Sequence, residues 1–386
     1  MAEGKRVDRD RVREEFFRLT AFDAESFHES KIASYVKRKL IQLGLTVEED
    51  GAAAKIAKAH PESKDTASNL YGYLKGTVPG QPLLFSAHLD TVKPGIGKKA
   101  VLREDGTITS DGTTVLGADD VSGLTSILEA LTVIQEKHLD HPDLEIFITV
   151  SEEPYCEGSR FAEYDRLKAK QGYVLDLDGP VGRAAIAAPS IISLKVEVEG
   201  KASHAGFAPE KGINALSIAA DALSHIRTGR VYNDITVNFG TIHGGSGRNI
   251  VPERITIEGE IRGTEHENAL CEAELIRQIF EKSAKKYGGS IQFTVTEHIH
   301  SYFVSENSEV VQRFLKAAGD GLQCAKPECI TTYGGSDANR LNEHGIETIV
   351  IACAMEKSHS TEEYTVLYEL ERAAQLTLLL MTDNRL

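Results

Sequence analysis

Five short segments of this 386-residue chain bring carboxylates or imidazoles to points where an apolar run stops, or to the loops just beyond. His88-Leu-Asp90 follows the apolar Pro82-Leu-Leu-Phe-Ser-Ala. Alternate residues of an extended segment point the same way, so His88 and Asp90 can approach each other. A carboxylate on the second ring nitrogen is the usual partner of a metal-bound histidine, although a plain His–Asp hydrogen bond has the same spacing. Gly117-Ala-Asp119-Asp120 precedes an apolar helix. One acid there can cap the helix, and a carboxylate bridging two metals accounts for the second. Ser151-Glu152-Glu153-Pro154 follows Phe147-Ile-Thr-Val. Adjacent acids at the end of a buried strand are costly unless something positive is near. Their side chains diverge, so one can bind metal while the other holds an attacking water. Leu175-Asp176-Leu-Asp178-Gly-Pro puts two more acids at a strand end, and Lys357-Ser-His359 follows the apolar run 348–354. A set of His, Asp and Glu without Cys favours zinc, cobalt or manganese. Two such ions about 3.5–4 Å apart can bind and activate one water.

The elements that must position these groups can be read from periodicity. The first part alternates helices over 11–19, 30–43 and 121–134 with strands over 69–74, 82–88, 144–150 and 173–178. That order implies an α/β sheet covered on both faces, whose strand ends are the usual place for a ligand site. Near Pro189 the texture changes to apolar–polar alternation. Strands are predicted over 192–199, 235–242, 255–261 and 291–299. Helices are predicted over 213–226 and 266–287, the second closed by Gly288-Gly289. The order β-α-β-β-α-β is the ferredoxin-like pattern. After Ser305 the α/β texture returns, with helices over 309–318 and 366–381 and a strand over 347–354. The expected division is therefore 1–188 and 305–386 for one catalytic domain, and 189–304 for a domain inserted into it.

Composition excludes several classes. Hydrophobic residues make up 41% and charged residues 26%, ordinary for a globular chain. Lys and Arg number 43 against 58 Asp and Glu, a formal charge of −15. Such a chain is a poor general binder of nucleic acid, whose backbone attracts Lys and Arg. No apolar run reaches the ~18 residues of a membrane span. Residues 1–15 are dense in charge and lack the apolar core of a signal peptide. Five scattered cysteines, Cys156, Cys271, Cys324, Cys329 and Cys353, suit free thiols in a reducing compartment. The expected location is cytoplasmic. Gly244-Gly-Ser-Gly and Gly334-Gly-Ser match neither the P-loop nor the dinucleotide fingerprint.

The ordered set His-x-Asp, Gly-Ala-Asp-Asp, Glu-Glu, Asp-Gly and a late His, with an inserted ferredoxin-like domain, resembles the co-catalytic dizinc exopeptidases and amidohydrolases. That family includes peptidase T, carboxypeptidase G, aminoacylase and succinyl-diaminopimelate desuccinylase. The likeness runs from about Ser30 to Leu386. Leu116-Gly-Ala-Asp-Asp-Val-Ser-Gly and Glu152-Glu153-Pro are most similar to the peptidase T-like branch. The resemblance implies a zinc-exopeptidase-like catalytic domain, a mixed sheet flanked by helices, with a ferredoxin-like lid. It implies two divalent ions, zinc first and cobalt or manganese as alternatives. Asp119 would bridge them, with His88 and Asp178 completing one shell and Glu153 and His359 the other. Asp176 rivals Asp178, which is preferred because it precedes Gly179 as in the family. Glu152 would be the general base and acid, and Asp90 would orient His88. His204, in Lys201-Ala-Ser-His, would stabilise the oxyanion. Asn249, Arg262 and Gly335 would bind substrate, with Arg248 competing with Arg262 for a carboxylate. The Asp119–Asp120 peptide is expected to be cis. The implied activity is removal of the N-terminal residue of short peptides, especially tripeptides; the alternatives are an N-acyl-amino-acid amidohydrolase or a dipeptidase. The implied partners are a short peptide and a second copy of the chain through the lid. In such a dimer His204 could serve its own site or its partner's.

Overall fold

The computed structural model describes residues 6–61, 63, 65–324 and 326–382. The expectations for residues 1–5 and 383–386 lie outside the described residues. The chain divides into two compact units, one of residues 1–187, 303–332 and 336–386, the other of 188–302 and 333–335.

The first unit is built on a mixed sheet with helices. Leu83–His88 and Leu144–Thr149 are buried at every position, as continuous apolar runs must be when both faces are covered. Leu70–Leu74, Leu144–Thr149, Leu83–His88, Gln171–Asp178 and Glu347–Glu356 lie side by side in that order. The first pair is antiparallel and the next three are parallel. His88 stands opposite Thr149, and Leu177 opposite Ala352. Parallel pairing forces the carboxyl ends of four strands onto one edge. The helix Ala118–Lys137 is buried over most of its length, and it packs on this sheet and on the helix Leu367–Thr382.

Several elements escaped periodicity, two of which bear on the site. Arg183–Ala188 is a strand although its sequence is mostly alanine. It is held by parallel pairing with Glu328–Thr331 and antiparallel pairing with Glu347–Glu356, which no local pattern encodes. Asp337–Glu343 is a short helix opened by a capping box of Ser336 and Asn339.

The second unit has the expected ferredoxin-like order: Ser190–Glu199, helix Ala215–Ser224, Ile235–Gly244, Arg254–Gly263, helix His266–Tyr287, and Ser290–Ile299. Its antiparallel sheet runs Gly229–Arg230, Ile235–Gly244, Arg254–Gly263, Ser190–Glu199, Ser290–Ile299. Ile192, Leu194, Val196 and Val198 alternate onto the face that buries Ile218, Ala219, Ile276 and Phe280 of the helices. Tyr333–Gly335 belongs to this unit, whereas the sequence division assigned it to the catalytic domain. The reason is local. Arg262 Nη1 donates to Tyr333 O at 2.8 Å, and a side chain at Gly335 would meet Ile299.

Among the described residues no helix is long and apolar enough to cross a membrane. All five cysteines are free.

Candidate metal centre

The common strand edge gathers the chemistry. His88 is the last residue of its strand, and Asp90 lies two residues on. Ser151, Glu152 and Glu153 follow Thr149, Asp176 lies near the end of Gln171–Asp178, and His359 lies three residues beyond Glu356. The backbone turns sharply at two of these exits, with φ of 47° at Ser151 and 64° at His359. L-residues resist that left-handed region, so neighbours must hold it. At Ser151 the holder is Glu29, whose carboxylate accepts the backbone N–H at 3.0 Å and the hydroxyl at 2.6 Å.

Two three-residue groups share one carboxylate. His88 Nε2 lies 3.0 Å from Asp119 Oδ1 and 3.9 Å from Asp176 Oδ1. His359 Nε2 lies 3.2 Å from Asp119 Oδ2 and 2.8 Å from Glu153 Oε2. Asp119 therefore turns one oxygen to each group. Within each group the ligand atoms lie within 4.8 Å of one another. Behind the histidine, His88 Nδ1 faces Asp90 Oδ1 at 3.4 Å. Asp90 also accepts the backbone N–H of Glu152 at 2.9 Å, that of Glu153 at 3.2 Å, and the Ser26 hydroxyl. One buried carboxylate thus ties the His88 strand to the Glu152–Glu153 turn. The Asp119–Asp120 peptide is cis, as expected.

The charge balance bears on whether cations fit. Burial pushes the Asp120, Glu152 and Asp176 carboxyls well above the ordinary carboxylate range. It pushes Glu29 and Glu153 to about 7. Burial also works against Asp119, but the two imidazoles hold its carboxyl low. Asp119 and Glu153 raise His359 to about 11, and Asp119, Asp90 and Asp176 raise His88 despite its burial. So many carboxylates around two imidazoles lack positive charge, and divalent cations would supply it. Glu153 Oε1 is moreover buried with no hydrogen-bond partner among the described residues. The donor set and this unmatched acceptor fit a dinuclear metal site.

Comparison with known proteins gives the family. Residues 186–288 match the profile of the peptidase dimerisation domain, and residues 69–221 match that of peptidase family M28. The chain is 35% identical to the uncharacterized protein YqjE of Bacillus subtilis, over 98% of this chain and 99% of the relative. The crystal structure of a tripeptidase from Staphylococcus aureus superposes with a TM-score of 0.92 at 33% identity, covering 97% of this chain and 98% of that one. That of the aminopeptidase PepT from Bacillus cereus superposes with a TM-score of 0.88 at 35% identity, with the same coverage. The chain belongs to the peptidase T-like metallopeptidases.

For a peptidase T-like site, one expected ligand lies outside the two groups. Asp178 is exposed, and its Oδ1 accepts the Ser358 hydroxyl at 2.5 Å. Asp176 is the carboxylate beside His88 and Asp119. The two aspartates share a strand face, but Asp176 lies deeper, at the level of the histidine. Glu152 is buried, with Oε1 near Cys156 Sγ at 3.3 Å.

The remaining expected residues belong to the second unit. His204 is exposed, and its Nδ1 accepts the backbone N–H groups of Gly206 and Phe207 at 3.1 Å each. Its proton is therefore on Nε2. Asn249 is exposed, and its carbonyl accepts from Ala205. Arg262 is paired with Glu260 at 2.8 Å as well as with Tyr333 O.

Two supporting carboxylates were missed. Glu363 accepts the N–H groups of Gly117 at 2.7 Å and Asp119 at 2.9 Å. Glu29 holds Ser151 from 122 residues away. No spacing rule reaches that far. The only sequence hint for Glu363 is that it follows His359 by four residues. Asp337, the first residue of the helix Asp337–Glu343, accepts from Thr149 and Ser159 beneath the same turn.

Proposed function

We propose that this metallopeptidase removes the N-terminal residue from short peptides, tripeptides foremost. The observation that carries the reading is the pair of ligand groups joined through Asp119 beside the buried Glu152. His88, Asp119 and Asp176 would hold one ion, and Asp119, Glu153 and His359 the other. Both ions are proposed to be zinc. When bound, they would supply a more acidic water and polarise the scissile carbonyl.

The chain's own groups do the rest. Glu152 takes the proton of the attacking water and passes it to the departing amine. Its burial raises its proton affinity, which suits a group that must both accept and return a proton. Asp90 fixes the His88 ring and the Glu152 backbone together. His204 carries a donor at Nε2, as an oxyanion-stabilising role requires. Arg262 and Asn249 are proposed for the substrate carboxylate, Arg262 exchanging Glu260 for it in a two-pronged pairing. Gly335 would keep its loop narrow. A homodimer through the second unit is proposed on the dimerisation-domain match, and a cytoplasmic location on the five free thiols.

The test is hydrolysis by dialysed protein, with zinc, cobalt or manganese restored, on dipeptides, tripeptides, tetrapeptides and N-acetyl amino acids. Metal-dependent release of the N-terminal residue from tripeptides is expected. Cleavage of acylated amino acids alone would overturn the substrate.

A further inference from the structure

The second unit holds a ligand cluster for which the peptidase mechanism has no use. His266 opens the helix His266–Tyr287, Glu297 lies near the end of the edge strand Ser290–Ile299, and His300 follows that strand. His266 Nε2 lies 3.0 Å from Glu297 Oε2, and His300 Nε2 lies 3.6 Å from the same oxygen. The three ligand atoms fall within 4.8 Å of one another, and the two imidazole rings lie 4.0 Å apart. We propose that His266, Glu297 and His300 form a separate divalent-cation site, for a zinc-like or nickel-like ion. This does not rest on the proposed substrate or on the Asp119 centre.

Three features argue for a built site. The first is distance. Ligands about 2.0–2.2 Å from a tetrahedral ion stand roughly 3.3–3.6 Å from one another; the His300 separation of 3.6 Å sits at the top of that range and the His266 separation of 3.0 Å just below it. The second is a bulge. The register of Ser290–Ile299 against Ser190–Glu199 slips between Glu297 and Ile299. In a regular strand, Glu297 and His300 are an odd number of residues apart and would face opposite sides. The slip lets both reach the exposed end of the helix-side face, where Glu297 stands opposite Ile192, while Ile299 stays buried, which is how bulges re-aim side chains. The third is orientation. Ser190 Oγ accepts the N–H of Ser301 at 2.7 Å and meets His266 Nδ1 at 2.9 Å. The second nitrogen of a metal-bound histidine is commonly fixed in this way. Two imidazoles and one carboxylate suit the later first-row ions better than calcium or magnesium. An ion here would clamp the end of the edge strand to the start of the long helix. Three protein ligands leave a position for water.

The experiment uses the full chain, stripped by chelation and dialysed, then titrated with zinc chloride against a chromophoric chelator. Bound zinc is counted by metal analysis. The wild type should bind one more equivalent than His266→Gln or His300→Gln, with unchanged circular dichroism. Glu297→Gln, at an exposed position, should lose the same equivalent. Ser190→Ala should keep it but weaken it by about 10–100-fold. A simple ion pair of these groups predicts equal stoichiometry in the wild type and all the variants, and that result would overturn the site.

Discussion

Glu152 and Glu153 are adjacent in the chain and are assigned different tasks because their side chains diverge. Glu153 faces His359 at 2.8 Å, while Glu152 lies near Cys156. We expect Glu152→Gln to keep both metal equivalents and to lower kcat by about 10²–10⁴, the usual effect of removing a general base. Full activity in that variant would remove Glu152 from the mechanism. The Asp176–Asp178 pair makes a sharper contrast. Asp176→Asn should lower the metal content of the purified protein. Asp178→Asn should leave it near wild type, because Asp178 accepts from Ser358 and stands in neither ligand group. Metal analysis of the two variants side by side decides between them. The types of these residues were legible in sequence; the depth of each along its strand was not, because depth depends on what the neighbouring strands and loops cover.

At the scale of elements, close packing sets the helix Ala118–Lys137 on the sheet. A Cβ at Gly123 would lie 2.4 Å from Asp120 Oδ1 and 2.5 Å from Leu175 O. Alanine in place of glycine favours a helix by about 1 kcal/mol, but overpacking costs about 1–3 kcal/mol. Gly123→Ala should therefore lower the urea midpoint, and a raised midpoint would show that the helix can shift. The turn after Leu70–Leu74 is held by Asp143, which accepts from Tyr73 Oη at 2.7 Å and Gly76 N at 2.8 Å and pairs with Lys75. Partial burial alone would raise this carboxyl, but those three partners bring it down to about 2. The unfolded carboxyl takes up its proton near pH 3.8, the folded one only near pH 2. Its contribution is complete above pH 3.8 and is lost as the pH falls toward 2. Denaturant midpoints at pH 4 and pH 2 should therefore differ more in the wild type than in Asp143→Asn. Elements with strong periodicity, such as His266–Tyr287, were readable from sequence. Arg183–Ala188 was not, since pairing partners far along the chain make it a strand.

For the whole molecule, ions held at the carboxylate-rich edge would tie stability to metal. Removing the ions leaves Asp119, Glu153 and Asp176 facing two imidazoles alone. An ion held at 100 times its Kd contributes about 2.7 kcal/mol. At ~2–4 °C per kcal/mol, chelation should lower Tm by roughly 5 °C or more. An unchanged Tm after complete chelation, checked by metal analysis, would mean that the site is rigid without metal. Sedimentation velocity should give a particle of twice the chain mass if the dimerisation-domain match carries over. A monomer at micromolar concentration would contradict that.

Sequence by itself determined the kind of chemistry. It showed His88, Glu153 and His359 just beyond apolar runs, Asp119 just before one, and alternation that switched to a ferredoxin-like order near Pro189. Those signals are local, because side-chain type and periodicity depend on a few neighbouring residues. Tertiary structure alone decided that Asp176 rather than Asp178 stands beside His88. It also showed that Glu29 and Glu363 hold the turns from 122 and 244 residues away, and that Tyr333–Gly335 packs in the second unit. Each of these depends on which distant segments the parallel strands and the long buried helix bring to one edge, and that is settled only when the core closes.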